Sequence, residues 1–111
     1  MKILVVDDDR DLRETLRDLL EDEGHVVHLA ADGAEALALL ERQPAIGAIV
    51  LDLAMPVMDG FELYDRLRAD PRYARVKKII VTSQQARGPA GAPLLRKPIR
   101  IDRLLALIHA P

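Results

Sequence analysis

The sequence predicts a doubly wound α/β fold with a parallel sheet, and three observations support that class. Short apolar runs rich in β-branched residues alternate along the chain with segments of helical periodicity. The apolar runs are continuous, as in strands that are buried on both faces. The 111 residues suffice for one domain. Alternating strands and helices form right-handed βαβ units, with helices on both faces of the sheet.

The first half of the chain contains two predicted strand and helix pairs. The stripe of Leu12, Leu16, Leu19 and Leu20 indicates one buried helix face, and Gly24 ends that helix. Asp32 caps the second helix, whose periodic pattern stops before Pro44. The predicted strands are KILVVD (2–7) and HVVHLA (25–30), and the predicted helices are DRDLRETLRDLLEDEG (9–24) and GAEALALLERQ (33–43).

The second half continues the alternation, with one interruption. Apolar residues recur at helical spacing in the last segment, which predicts a final helix. The predicted strands are GAIVLD (47–52), VKKIIVTS (76–83) and, as the only candidate for a fifth strand, PLLR (93–96); the predicted helices are DGFELYDRLRAD (59–70) and a last one carrying Ile101, Leu104, Leu105 and Ile108.

The interruption is SQQARGPAGAP (83–93), where a further helix belongs. Pro89 and Pro93 would each cost about 3 kcal/mol in a helix interior, and Gly88 and Gly91 about 1 kcal/mol each. A helix of ordinary length is therefore excluded. We expect four helices, with a loop between the fourth and fifth strands.

Composition narrows the classes of function. The formal charge of −2 gives no basic stripe, so we expect no direct nucleic-acid partner. The chain has no cysteine, which fits a reducing compartment. MKILVV is too short for a signal-peptide core, and no apolar run reaches membrane-spanning length. A single domain (1–111) located in the cytoplasm and without a membrane partner is the expectation.

Polar residues follow the apolar runs. Asp7 and Asp8 follow the first run, Asp52 ends the third, Thr82 and Ser83 end the fourth, and Lys97 follows PLLR. Ligand sites of parallel sheets lie beyond the carboxyl ends of the strands, so these groups are expected to converge. Three carboxylates at close range need a neutralising cation. Oxygen ligands without Cys or His favour Mg²⁺ or Mn²⁺.

A carboxylate can also accept a phosphoryl group covalently. Phosphoryl transfer needs mainly in-line positioning and cancellation of charge, which a metal ion, a lysine and a hydroxyl can provide. Asp52 is the expected nucleophile because it lies on a central strand, between the acidic end and the Thr82 and Lys97 side.

KILVVDDD, IVLDLAMPVMDG, IIVTS and LRKPI resemble, in this order, the four motif blocks of the response-regulator receiver domain, over essentially the whole chain. The resemblance implies a flavodoxin-like sheet of order 2-1-3-4-5. It also implies that Asp7, Asp8, Asp52 and the Ala54 backbone carbonyl bind Mg²⁺. Asp52 then accepts phosphate from a histidine kinase or phosphotransfer protein.

The resemblance further implies that Lys97 pairs with the phosphate, that Thr82 is the switch hydroxyl, and that the Lys97-Pro98 peptide bond is cis. Such a protein is not an enzyme beyond its own phosphorylation and dephosphorylation. Its signal would leave by contact with a downstream protein, which the sequence does not identify.

The chain departs from the receiver pattern at two places. The fourth helix of the family is replaced by the Gly/Pro loop, and Leu94 stands where the family usually carries an aromatic switch residue. We therefore expect loop packing or a partner to cover the exposed sheet. A change between order and disorder in the loop could replace a helix shift.

Two alternative functions stay open. One is a phosphorylation-independent interaction module, supported by the altered segment 82–97. The other is a Mg²⁺-dependent phosphohydrolase with an Asp nucleophile, disfavoured because Ala54 stands where such enzymes carry a second carboxylate. Gly60 is expected to start a helix. The histidines His25, His28 and His109 are expected to have packing or surface roles, with His109 frayed.

Overall fold

The computed structural model describes all 111 residues and shows one five-stranded parallel sheet of order β2-β1-β3-β4-β5. The predicted fold class and strand order are therefore confirmed. All four strand pairs are parallel, and Asp52 lies directly beside Thr82 in the register of β3 and β4. The strands are β1 (Lys2–Val6), β2 (Val26–Ala30), β3 (Ile46–Asp52), β4 (Lys78–Ser83) and β5 (Leu94–Arg96).

Four α-helices connect and follow the strands, as the periodicity predicts. Three of them begin at an aspartate whose carboxylate accepts backbone N–H groups of the first turn: Asp9, Asp32 and Asp59. The fourth begins after Arg100 and has no such cap. The helices are α1 (Arg10–Asp22), α2 (Gly33–Arg42), α3 (Gly60–Ala69) and α4 (Ile101–His109), with a short 3₁₀ turn at Pro71–Tyr73.

The two faces of the sheet form two apolar layers. Helices α1 and α4 cover one face through Leu16, Leu20, Leu104 and Ile108, which pack on Ile3, Val5 and Val50. Helices α2 and α3 cover the other face. Leu19 is 37% exposed, so the predicted leucine stripe of α1 is wrong at this position. Burial of both sheet faces explains why the strand sequences are continuously apolar.

Residues 84–93 form no helix, as predicted, and β5 is only three residues long. The loop nevertheless covers part of the sheet. Ala92 and Leu94 pack against the apolar layer that contains Leu53 and Val81, and Val81 N donates to Pro93 O at 2.9 Å. Packing of this loop thus provides part of the cover that a helix between β4 and β5 would give to the sheet.

The expectation of a frayed His109 is wrong. His109 is the last residue of α4, and its Nε2 lies 2.8 Å from Nε2 of His25, with the ring centroids 5.0 Å apart. The contact joins the start of β2 to the end of the chain. None of the helices is both long enough and apolar enough to cross a bilayer.

Candidate functional site

The predicted site residues meet at the carboxyl edge of the sheet. Asp7 directly follows β1, Asp52 is the last residue of β3, Thr82 lies in β4 beside it, and Lys97 directly follows β5. Parallel strands bring their carboxyl ends to one edge, which explains how residues 90 positions apart come into contact.

The three carboxylates form a compact acidic group. Asp7, Asp8 and Asp52 each offer an oxygen, and these oxygens all lie within 4.8 Å of one another. Asp7 and Asp52 are each 2% exposed, whereas Asp8 is exposed. The N–H of Asp9 donates to Asp7 Oδ1 at 2.9 Å. The acidic group is thus anchored on the buried side and open on the Asp8 side.

Lys97 provides the cation of the site. Its Nζ lies 3.0 Å from Asp7 Oδ2 and 3.4 Å from Asp52 Oδ1. Burial of Lys97 disfavours its ammonium form, but the carboxylates of Asp7 and Asp52 outweigh this effect and raise the pKa of Lys97. The side chain therefore remains charged and links two strands through their carboxylates.

The pKa of Asp52 is raised, as expected for a carboxyl group that shares a buried site with another acidic residue. Burial, followed by repulsion from Asp7, raises its pKa to about 6. The Lys97 ammonium and the N–H of Ala54, which donates to Asp52 Oδ1 at 3.2 Å, oppose the rise. One lysine does not fully compensate two buried carboxylates, so the site favours a further cation.

Thr82 has a buried hydroxyl without a hydrogen-bond partner. A buried polar atom of this kind is costly and marks a strained or ligand-binding position. The neighbouring hydroxyl of Ser83 is already used, since its Oγ accepts the N–H of Gln85 at 3.0 Å. The structure thus distinguishes the two hydroxyls that stand next to each other in the sequence.

The peptide bond between Lys97 and Pro98 is cis. The N–H of Lys97 donates to Ser83 O at 2.8 Å, which extends the pairing of β4 and β5 up to the lysine. Leu94 is half-buried and packs against the apolar layer beside α3. This position therefore holds an aliphatic side chain that faces inward.

Gly60 contributes a positioning role that its place at the start of α3 did not suggest. A Cβ atom added at Gly60 would lie 2.3 Å from the carbonyl oxygen of Asp52 and 2.6 Å from Leu53 Cα. The N–H of Gly60 donates to Leu53 O at 2.9 Å. Only glycine allows this approach of α3 to the end of β3, so Gly60 helps to hold the backbone of Asp52. In the sequence, the glycine at the end of MPVMDG was the signal that could have indicated this positioning role.

The site has the chemistry of a hard-cation site beside a reactive carboxylate. Its donors are carboxylate oxygens, without any sulfur or imidazole nitrogen, which suits Mg²⁺ or Mn²⁺. The carbonyl of Ala54, two residues after Asp52, accepts no hydrogen bond and is therefore available as a further oxygen donor. An ammonium and an unpaired hydroxyl stand beside the carboxylate, as charge cancellation in phosphoryl transfer requires.

Comparisons with known proteins agree on one family. The family model described as the response regulator receiver domain matches residues 3–109. An uncharacterised 14.6 kDa protein of Leptolyngbya boryana is 43% identical over 98% of this chain and 88% of its own length. The response regulator MprA of Mycobacterium leprae is 42% identical over 99% of this chain. The chain spans about half (50%) of the length of that regulator.

Solved structures give the same result. The chemotaxis protein CheY4 of Vibrio cholerae superposes with a TM-score of 0.84 at 33% identity, covering 96% of this chain and 94% of that one. The receiver domain of the hybrid histidine kinase CckA superposes with a TM-score of 0.84 at 31% identity, covering 97% of this chain and 95% of that one.

Proposed function

The chain belongs to the response regulator receiver domain family, and from that premise we propose that it is a phospho-acceptor in a two-component phosphorelay. Asp52 would take the phosphoryl group from a histidine kinase or phosphotransfer protein in a Mg²⁺-dependent reaction. One observation carries the proposal: the buried carboxylate of Asp52 stands among two further carboxylates, a lysine ammonium and an unpartnered threonine hydroxyl.

The residues fit a divalent cation. Asp7, Asp8 and Asp52 supply clustered carboxylate oxygens, and the Ala54 carbonyl is the fourth proposed donor. When bound, Mg²⁺ would neutralise the carboxylates and polarise the phosphoryl oxygens. Burial and repulsion from Asp7 raise the pKa of Asp52 to about 6, so a bound cation would favour its carboxylate form.

In the proposed transfer, a carboxylate oxygen of Asp52 attacks the phosphorus of the donor. An O–P bond forms while the N–P bond of the phosphohistidine breaks, and the electron pair of that bond stays on the nitrogen. A ring protonated at its other nitrogen leaves as neutral imidazole, and an unprotonated ring takes up a proton from solvent. The N–H of Ala54 donates to Oδ1 of Asp52, and the Lys97 ammonium forms its ion pair with the same oxygen at 3.4 Å. Oδ2 is therefore the oxygen available for attack.

Lys97 and Thr82 would stabilise the charge that arrives with the phosphoryl group. The ammonium of Lys97 is held between Asp7 and Asp52, within reach of an oxygen attached to Asp52. Thr82 Oγ1 lacks a partner and lies on the strand beside Asp52, so it can donate to a phosphoryl oxygen. Charge-assisted hydrogen bonds from both groups would favour the phosphorylated state.

The activity would be confined to the chain's own phosphorylation and to hydrolysis of the resulting acyl phosphate, so the chain would not act as an enzyme on other substrates. Signalling would take place in the cytoplasm, where ATP is available to charge the kinase. Output would leave by contact with another protein, and the loop 84–93 would report the state of Thr82 from its place directly after β4.

A second candidate is an interaction module that does not need phosphorylation. It is favoured by the loop in place of a helix and by Leu94, which already packs inward. A phosphohydrolase is disfavoured because Ala54, two residues after Asp52, cannot act as a general acid or base.

Intact mass spectrometry after incubation with acetyl phosphate and Mg²⁺ tests the proposal. We expect one phosphoryl adduct on the wild-type chain and none on Asp52→Ala, Mg²⁺ being required. Absence of an adduct at every Mg²⁺ concentration would reject the phospho-acceptor function and favour the interaction module. Turnover of unrelated phosphate esters would favour a hydrolase.

A further inference from the structure

Although the net charge of the chain is small, its acidic and basic residues are distributed very unevenly along the sequence. Of the 18 acidic residues, 17 lie in residues 1–70 and only Asp102 lies later, whereas nine of the 16 Lys and Arg residues lie in residues 71–111. The formal charges of the two parts are therefore −10 and +8, which together give the −2 of the whole chain. Asymmetry of this size points to a charged partner.

Part of this positive charge surrounds a cavity of about 230 Å³ between β5 and the start of α4. Its rim carries three exposed arginines, Arg96, Arg100 and Arg103, and its floor is formed by Leu94, Leu95 and Pro98. Arg100 pairs with Asp102 at 3.0 Å, while Arg96 and Arg103 form no ion pair. Arg96 Nη2 donates to Gln84 O at 3.3 Å, so Arg103 keeps its whole guanidinium group free and Arg96 keeps part of its own free beside the apolar floor.

The position of the cavity follows from the shortened edge of the sheet. β5 is the edge strand, has three residues and is preceded by a loop where a helix would otherwise lie. Basic side chains on an edge strand can serve merely to prevent pairing with other strands. That role does not explain Arg100 and Arg103 on the neighbouring helix segment, which line the same cavity.

We propose that the cavity lined by Arg96, Arg100 and Arg103 binds an acidic segment of a partner protein. Guanidinium groups bind carboxylates in a bidentate manner, and the floor accepts an apolar side chain next to the acidic one. The inference rests on the proposed function in one respect, since it names the chemistry of the output partner. The cavity itself contains none of the metal or phosphate ligands.

A protein segment fits this surface better than a nucleic acid or an anionic membrane. The three aromatic residues of the chain, Phe61, Tyr64 and Tyr73, do not line the cavity, so it offers no platform for stacking bases. The first 70 residues carry a formal charge of −10 and would repel an extended polyanion. A short acidic segment can contact the arginines without crossing the acidic part.

Fluorescence anisotropy with a labelled synthetic peptide of alternating Glu and Leu provides the test. The matched peptide with Gln in place of Glu, a single-stranded DNA and phosphatidylserine vesicles are the competing probes. Arg96→Gln/Arg103→Gln removes the two guanidinium groups that form no ion pair. Arg42→Gln/Arg66→Gln is the matched control, because it removes the same charge from exposed positions on α2 and α3.

We expect the Glu peptide to bind the wild-type chain and the control variant equally, and the Arg96/Arg103 variant about tenfold more weakly, with binding that weakens as salt rises. Equal affinity for the Gln peptide, or equal loss in both double variants, would overturn the proposal. So would preferential binding of DNA or vesicles, or absence of peptide binding both before and after treatment with acetyl phosphate. Without acetyl phosphate, Asp52→Asn should bind the Glu peptide as the wild-type chain does, which separates this result from a failure of phosphorylation.

Discussion

The ammonium of Lys97 lies 3.0 Å from the Asp7 carboxylate, although 90 positions separate the two residues. The same nitrogen reaches Asp52 at 3.4 Å, so one cation joins the ends of β1 and β3 to the residue that follows β5. Lys97 therefore stabilises the fold by offsetting the charge of two buried carboxylates.

Lys97→Met should destabilise the metal-free protein by about 2–4 kcal/mol, because two buried carboxylates lose their compensating charge. Saturating Mg²⁺ should recover much of this loss. Urea unfolding with and without Mg²⁺ measures both effects. Lys77→Met, which changes an exposed lysine, is the control and should shift stability by less than about 0.5 kcal/mol. An equal loss with and without Mg²⁺ would argue against a shared charge balance.

Asp52→Asn should stabilise the metal-free protein at neutral pH by about 2 kcal/mol, because it removes a carboxylate whose pKa burial and Asp7 raise to about 6. The folded state binds more protons at Asp52 than the unfolded state between about pH 4 and 6. The stabilising effect of Asp52→Asn should therefore appear as pH rises through 6 and vanish below pH 4. Thermal unfolding in a chelating buffer, compared with Asp18→Asn on the exposed side of α1, measures the difference.

Gly60→Ala should destabilise the protein by about 2–3 kcal/mol and slow its phosphorylation, because the added Cβ would collide with the backbone of Asp52 and Leu53. Gly47→Ala, in β3, meets nothing within 4 Å and is the matched control. Urea unfolding and the rate of adduct formation with acetyl phosphate check the two effects. Similar unfolding midpoints for both variants would contradict the backbone-approach argument.

The burial of His25, together with the positive charges near it, should make stability fall as the pH decreases below about 6.5. Burial of His25, the N-terminal charge and His109 lower the pKa of His25, so the unfolded state binds more protons in this range. The unfolding temperature of His25→Gln should consequently depend less on pH between 7.5 and 5.5 than that of the wild type. His28→Gln retains the pair and serves as the control; an unchanged pH dependence in His25→Gln would show that folding does not lower the pKa of His25.

Local sequence patterns accounted for most of the fold. Continuous apolar runs and helical stripes predict five strands and four helices, since their periodicities depend only on residues within a few turns of one another. The Gly/Pro composition of residues 83–93 likewise sufficed to exclude a helix there. Leu19 shows the limit of such patterns, because a position at the border of a helical stripe faces the core or solvent according to how the helix packs.

The site was predictable to the extent that it depends on strand ends. The sequence by itself determined that Asp7, Asp8, Asp52, Thr82 and Lys97 follow or end strands of a parallel sheet, and hence that they meet at one edge. Only the tertiary structure decided the contacts that depend on distance between remote segments. These are the bonds of Lys97 to two carboxylates, the free hydroxyl of Thr82 beside the bonded one of Ser83, and the approach of Gly60 to Asp52.

Two further features were also decided only by the tertiary structure. They are the pairing of His25 with His109 and the position of three arginines around one cavity. Periodicity determines which face of an element is apolar, but register and helix packing fix the separation of side chains that lie far apart in the chain. Because those quantities are set by the summed packing of the whole core, no local stretch of sequence encodes them.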